Sequence, residues 1–158
     1  MIEVRSSESE SWVGNFVRGM TRFDWVGMHP NESDVLVVAG GQGYLIRPDT
    51  RSLASTFGGE IEGVIQYEPR GALVFNHEGL HFESLGPDGV QWKSRRISWD
   101  GFDDIVIRGS VLSGQAWDAL HDTWRPFRLD LDTGEVMGGA FPKGPLDRCR
   151  NPFGDASE

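Results

Sequence analysis

The chain has 158 residues, 38% apolar and 25% charged, with 24 acidic against 15 basic side chains for a net charge of −9 at pH 7. That length suits one domain with a sizeable core, and six Trp with 11% aromatics exclude a disordered chain. A surface so acidic repels phosphate backbones and anionic lipid heads, so neither nucleic acid nor membrane is expected as a partner.

The first residues, Met1-Ile2-Glu3-Val4-Arg5, have no basic n-region or apolar h-region, and no secretory signal is read there. Residues 1–22 are expected to form a polar N-terminal segment. Its Ser11–Arg18 part suits a strand or a short amphipathic helix with Trp12, Phe16 and Met20 on one side. From 23 to 141, glycine and proline punctuate short runs of β-branched and aromatic residues, which predicts an all-β domain. Turn signals stand at Arg47-Pro48-Asp49-Thr50, Glu68-Pro69-Arg70-Gly71, Asn76-His77-Glu78-Gly79, Gly86-Pro87-Asp88-Gly89 and Leu131-Asp132-Thr133-Gly134. The longest apolar run is Val35–Ala39, far short of the roughly 20 residues of a membrane span. After Phe141, residues 142–158 lack apolar periodicity and are expected to be an extended tail. A single cysteine, Cys149, excludes an internal disulfide and a multi-cysteine metal cluster, and a reduced, cytoplasmic setting is expected.

Three segments share one four-run order. The first runs through Trp25–Met28, Asp34–Gly40, Gly43–Arg47 and Ser52–Gly58. Glu62–Tyr67, Gly71–Asn76, Leu80–Leu85 and Val90–Arg95 make the second. In the third come Asp104–Arg108, Ser110–Trp117, Pro126–Asp130 and Glu135–Gly139. An aspartate-bearing turn joins the last two runs each time, at Asp49, Asp88 and Asp132, spaced at about 40 residues.

The stretch from His29-Pro30 through Val35-Leu36 and Val38 to Gly43-Tyr44-Leu45-Ile46-Arg47-Pro48-Asp49-Thr50 resembles a β-propeller blade of the WD-repeat or quinoprotein type. So does Phe127–Val136, and the resemblance covers roughly residues 23–140. It implies three consecutive four-stranded antiparallel meanders. No Trp-Asp closes each unit at a fixed place, since Trp99-Asp100 and Trp117-Asp118 fall at different positions. Three units are fewer than the four to eight of a closed ring, so an open or compact arrangement is expected.

Chemical motifs are sparse. His77 and His81 bracket a tight turn near Glu78 and Glu83, but strand parity puts His81 with Glu83 and admits His77 only if the loop restores register. A solvated hairpin tip is the expectation, with no metal site. Asp100, Asp103 and Asp104 beside Trp99, and Asp118 and Asp122 beside Trp117 and Trp124, offer carboxylates for acid–base work on a glycosidic bond. Aspartates ahead of strands more often cap turns. No Gly-x-Ser-x-Gly elbow occurs around Ser110 or Ser113, and Gly40-Gly41-Gln42-Gly43 lacks the Lys-Ser/Thr of a phosphate loop. Cys149 has basic neighbours but no evident histidine partner. No catalytic residue and no cofactor is expected.

What remains is an aromatic and acidic edge. Residues 118–125 read as an insertion between the second and third runs of the third unit, where the other units have a short turn. The expected partner-binding set is Trp99, Asp100, Asp103, Asp104, Trp117, Asp118, His121, Asp122 and Trp124. These features suggest a non-enzymatic acidic domain that covers a protein with a basic surface. In bacteria, the commonest protein of that description is an immunity protein that blocks a cognate toxin. The alternative is a propeller-type small-ligand or glycan-binding module, or an enzyme, using loop carboxylates and Trp. A third reading is that the three units assemble with another copy, as a homo-oligomer, or with another chain, purely as structure.

Overall fold

The computed structural model describes residues 2–5 and 11–141. The expectations for the polar stretch 6–10 and for 142–158, Cys149 included, lie outside the described residues. Strands β1 (Ile2–Arg5) and β2 (Ser11–Gly14) pair antiparallel. Three four-stranded sheets follow. The first contains β3 (Trp25–Met28), β4 (Val35–Ala39), β5 (Gln42–Arg47) and β6 (Ser52–Gly58). The second contains β7 (Ile61–Tyr67), β8 (Ala72–His77), β9 (His81–Gly86) and β10 (Gly89–Lys93), with a single 3-10 turn at Glu68–Arg70. The third contains β11 (Phe102–Arg108), β12 (Val111–Asp118), β13 (Thr123–Asp130) and β14 (Val136–Gly138).

In each sheet, strands adjacent in sequence are adjacent in space and antiparallel, so each is a blade-like meander. The four-run order read from the sequence is reproduced in all three. The runs Trp25–Met28 and Ser52–Gly58 coincide with β3 and β6.

Burial explains the strand patterns. The second sheet is the middle layer and packs on both sides. Leu73 and Phe75 of β8 join Leu36, Val38 and Ile61 against the first sheet. Val74 joins Phe82, Leu112, Phe127 and Leu129 against the third. A strand covered on both faces has no polar side, and Ala72-Leu73-Val74-Phe75 is accordingly an unbroken buried run. Strand β12 packs on one face and alternates: Leu112 and Ala116 are buried while Val111 is exposed. Each large side chain withdrawn from water in these seams stabilises by about 1.5–3 kcal/mol.

The first sheet's other face is also covered. Tyr44 stands on that face beside Val37, its ring 5.1 Å from that of Phe16, and its hydroxyl donates to the Val17 carbonyl at 2.7 Å. The Gly19 amide donates to the Ala39 carbonyl and that of Thr21 to Gly40, both at 2.9 Å. Val37 is thereby wholly buried. Met20, placed with Trp12 and Phe16 in a helical reading, is instead 82% exposed.

Successive sheets are also fastened by backbone. The Gly41 carbonyl, in the β4–β5 turn, accepts from the Gly59 and Ile61 amides at 3.1 and 3.0 Å as the chain enters the second sheet. One unit on, the Leu80 carbonyl in the β8–β9 turn accepts from Ile97 and Ser98 at 2.8 and 3.3 Å as the chain enters the third. Gly41 has φ 86°, and a Cβ there would lie 2.6 Å from Thr21 Oγ1 and 3.0 Å from the Ile61 nitrogen. Only glycine satisfies both the left-handed backbone and the close approach. No helix among the described residues is long and apolar enough to cross a membrane.

Candidate protein-binding corner

The crossing from β10 to β11 is stitched onto β12 by Ser98, which is wholly buried. Its Oγ donates to the Gly101 carbonyl at 2.6 Å and accepts from the Trp117 amide at 2.9 Å. The Trp99 amide donates to the Trp117 carbonyl at 3.0 Å. The Gly101 amide reaches back to the Gly79 carbonyl at 2.9 Å. These bonds bring the segment around Trp99-Asp100 to the end of the third sheet that carries Trp117-Asp118, next to the β8–β9 turn of the second.

Residues 118–125 lengthen the β12–β13 hairpin relative to those of the other two units, and they do so largely as strand rather than as a loop. Strands β12 and β13 run on through them to eight residues each and close in the turn Ala119–Asp122. Asp118 makes that turn. Its side chain is buried and accepts from His121 Nδ1 at 2.7 Å, Arg125 Nε at 3.0 Å and the Leu120 amide at 3.1 Å. Burial pushes the Asp118 carboxyl up, but these hydrogen bonds outweigh it and hold it below the usual range. Its charge is therefore spent inside the hairpin. His121 and Asp122 remain exposed on the turn, Asp122 at φ 50°.

Trp117 and Trp124 are cross-strand partners with ring centroids 5.2 Å apart in a T-shaped pair. They lie on the face of the third sheet turned away from the second, and Trp124 is 42% exposed. Asp103 pairs with Gln115 on the same face and begins a bulge that runs to Val106. Asp104, inside the bulge, is exposed at φ 51°. Trp99 turns inward instead. Its ring packs 4.8 Å from Phe141 and lies under the Arg96 guanidinium at 5.3 Å. Of the sequence-read set, then, Asp100 lies beside the β8–β9 turn of the second sheet, while Asp103, Trp117 and Trp124 lie on the outward face of the third sheet with Asp104 in the bulge at its edge. His121 and Asp122 sit on its β12–β13 turn, and Trp99 and Asp118 build the fold beneath.

Asp100 has acidic neighbours that the sequence reading missed. Glu60 and Glu62 enter the second sheet, and Glu78 sits on its β8–β9 turn, where the Glu78 amide donates to the Glu60 carbonyl at 2.8 Å. A hydrogen bond with the Glu78 carboxyl raises the Glu60 pKa, and the Glu78 charge adds to it. Burial raises Glu62, followed by the charges of Asp100 and Glu78. No salt bridge reaches Glu60, Glu62, Glu78 or Asp100 among the described residues. The only local signal was the pair of acids in Gly59-Glu60-Ile61-Glu62-Gly63. Glu78 and Asp100 join them through tertiary structure.

His77 and His81 are direct cross-strand partners, because the three residues Glu78-Gly79-Leu80 restore the register. Their rings stack 5.2 Å apart at 8°, and both Nε2 atoms are buried without a hydrogen-bond partner. Burial lowers both, His81 to about 4, with Lys93 contributing. Glu83 Oε1 is 4.0 Å from His77 Nε2. Among the described residues, no group of three or more His, Cys, Asp or Glu is placed to hold a metal ion. The pair is not a solvated hairpin tip. It belongs to the seam with the first sheet, where His77 tilts against Phe75 at 6.3 Å.

No family model and no curated protein matches the chain. Among solved structures it is similar to the Pan2 WD40 domain of Neurospora crassa, at 8% identity and a TM-score of 0.41, over 66% of this chain and 35% of that one. It is also similar to the hydrazine synthase of Kuenenia stuttgartiensis, at 14% identity and a TM-score of 0.32, over 81% of this chain and 52% of that one. The chain thus spans about a third and a half of those two chains.

Proposed function

We propose that the chain is a non-enzymatic interaction domain that binds a protein with a basic surface, and that the acidic corner between the second and third sheets is where the partner docks. An inhibitor of a basic toxin, an immunity protein of the bacterial cytoplasm, is the form of this reading we favour. One observation supports it above the rest: Glu60, Glu62, Glu78 and Asp100 converge with no cation paired to them among the described residues. A hydrogen bond with Glu78 raises Glu60 and burial raises Glu62, and the repulsion among these acids adds to both. Arg or Lys side chains of a partner would relieve that repulsion on contact. The gain is strongest at low salt, since the Debye length is only about 8 Å at physiological ionic strength. Trp124, exposed beside Asp122, supplies an aromatic anchor of the type that dominates interface energetics.

The test is capture of binding proteins from the native host's lysate at low salt, with elution by rising salt, repeated with two variants. A stoichiometric basic protein is expected from the unaltered chain. It should be lost from Glu60→Gln/Glu62→Gln/Glu78→Gln and retained poorly by Trp124→Ala, with circular dichroism unchanged in both. Equal capture by all three proteins would remove this corner from the proposal. An empty column, with a thermal shift from an oligosaccharide or a divalent cation, would favour the small-ligand reading instead.

A further inference from the structure

We infer that the face of the third sheet turned away from the second is a self-association surface, occupied by a second copy of this chain through a two-fold axis parallel to the strands; Trp124 lies on this face too, so the second copy and the partner of the proposed function compete for it. The face is amphipathic. Val106, Val111 and Met137 are 45%, 37% and 72% exposed on it, around a groove of about 500 Å3. Backbone register sets the order of its charges. Arg108 on β11 is level with Val111 on β12 and Asp130 on β13. Glu135 follows at the β14 side, where its carbonyl accepts from the Asp130 amide. The row therefore runs from positive at one edge of the sheet to negative at the other. Neither Arg108 nor Arg128, which also lines the groove, makes an ion pair among the described residues.

A two-fold axis along the strands lays each edge of the sheet over the opposite edge of its copy. Arg108 then stands over Asp130 and Glu135 of the second molecule, twice, with the two Val111 side chains near the axis and the Met137 side chains flanking them. Head-to-tail closure of two copies into a ring would need the first sheet's outward face, which Phe16 and Tyr44 already cover. The face-to-face dimer is the arrangement left open. Strands about 4.8 Å apart and about 3.3 Å per residue give roughly 400 Å2 per copy over β11–β14, so about 800 Å2 in total. That is below the range of stable specific interfaces, and the dimer is expected to be weak and concentration-dependent.

Sedimentation velocity from low micromolar to several hundred micromolar tests this on the full chain. A monomer–dimer equilibrium is expected, abolished by Met137→Asp and by Arg108→Glu with unchanged circular dichroism. The double variant Arg108→Glu/Glu135→Arg should regain part of the association that either single change loses. A monomer at every concentration overturns the inference and leaves the face to another protein or to other residues of the chain. A dimer that survives both single variants overturns it as well, since its interface would lie elsewhere.

Discussion

The first and third sheets are the same meander at opposite ends of the array, and they differ in what lies on their outward faces. Over the first, the segment after β2 supplies Phe16 and Val17 to Tyr44, and Val37 beneath is wholly buried. The outward face of the third has no such cover among the described residues, and Met137 stands 72% exposed there. The strands record the difference. Central strand β4 is the unbroken apolar run Val-Leu-Val-Val-Ala, whereas β12, its counterpart, alternates as Val-Leu-Ser-Gly-Gln-Ala-Trp-Asp. An apolar run in a central strand thus reports two covered faces, and alternation reports one.

The comparison breaks most severely at the seams that both ends depend on. Phe82→Ala, in the seam between the second and third sheets, should cost about 3–5 kcal/mol by urea denaturation. Next is a matched pair of charges. Val37→Asp buries an unpaired carboxylate under the first sheet's cover and should cost several kcal/mol, while Val106→Asp on the bare face should change stability by about 0.5 kcal/mol or less. Similar losses for the two would mean that the faces are not different. Tyr44→Phe removes only the hydrogen bond to Val17 and should cost about 1 kcal/mol.

The smallest effect is pH-dependent and confined to one seam. His77 and His81 titrate below their unfolded value of about 6.5, His81 at about 4, so between those values the unfolded chain binds more protons than the folded one. Stability is therefore full above about pH 6.5 and declines as pH falls towards 4. Hydrogen exchange at pH 5 should rise first in strands flanking the seam between the first and second sheets. His81→Gln should flatten that dependence, and an unchanged slope would assign it to other groups.

How much of this was legible depended on distance along the chain. Runs such as Trp25–Met28 and Ser52–Gly58 are set by local alternation and flanking turn residues, and the sequence reading placed them to the residue. The pairing of Trp117 with Trp124 needed only a hairpin. The extra length at 118–125 is legible, but the role of Asp118 is not: an acid in a Trp-Asp-Ala context looks like surface until His121 and Arg125 are seen to fold back on it. Convergence of Glu60, Glu62, Glu78 and Asp100 needs three turns from two sheets to meet, and no local period encodes that. Parity along the strand leaves the place of His77 open, because the three-residue turn decides the register across it.

The carbonyl fasteners at Gly41 and Leu80 have a consequence for how such a chain grows. Each joins one sheet to the next through main-chain atoms alone, so outside the glycine required at 41 the linkage itself places no demand on side-chain identity. Loop length is not free: a single residue added to the Gly40–Gly41 turn would carry its carbonyl away from both Gly59 and Ile61. A chain built this way extends by duplication of a whole unit, each copy bringing the acceptor on which the following one hangs, and its stability accumulates from neighbour to neighbour.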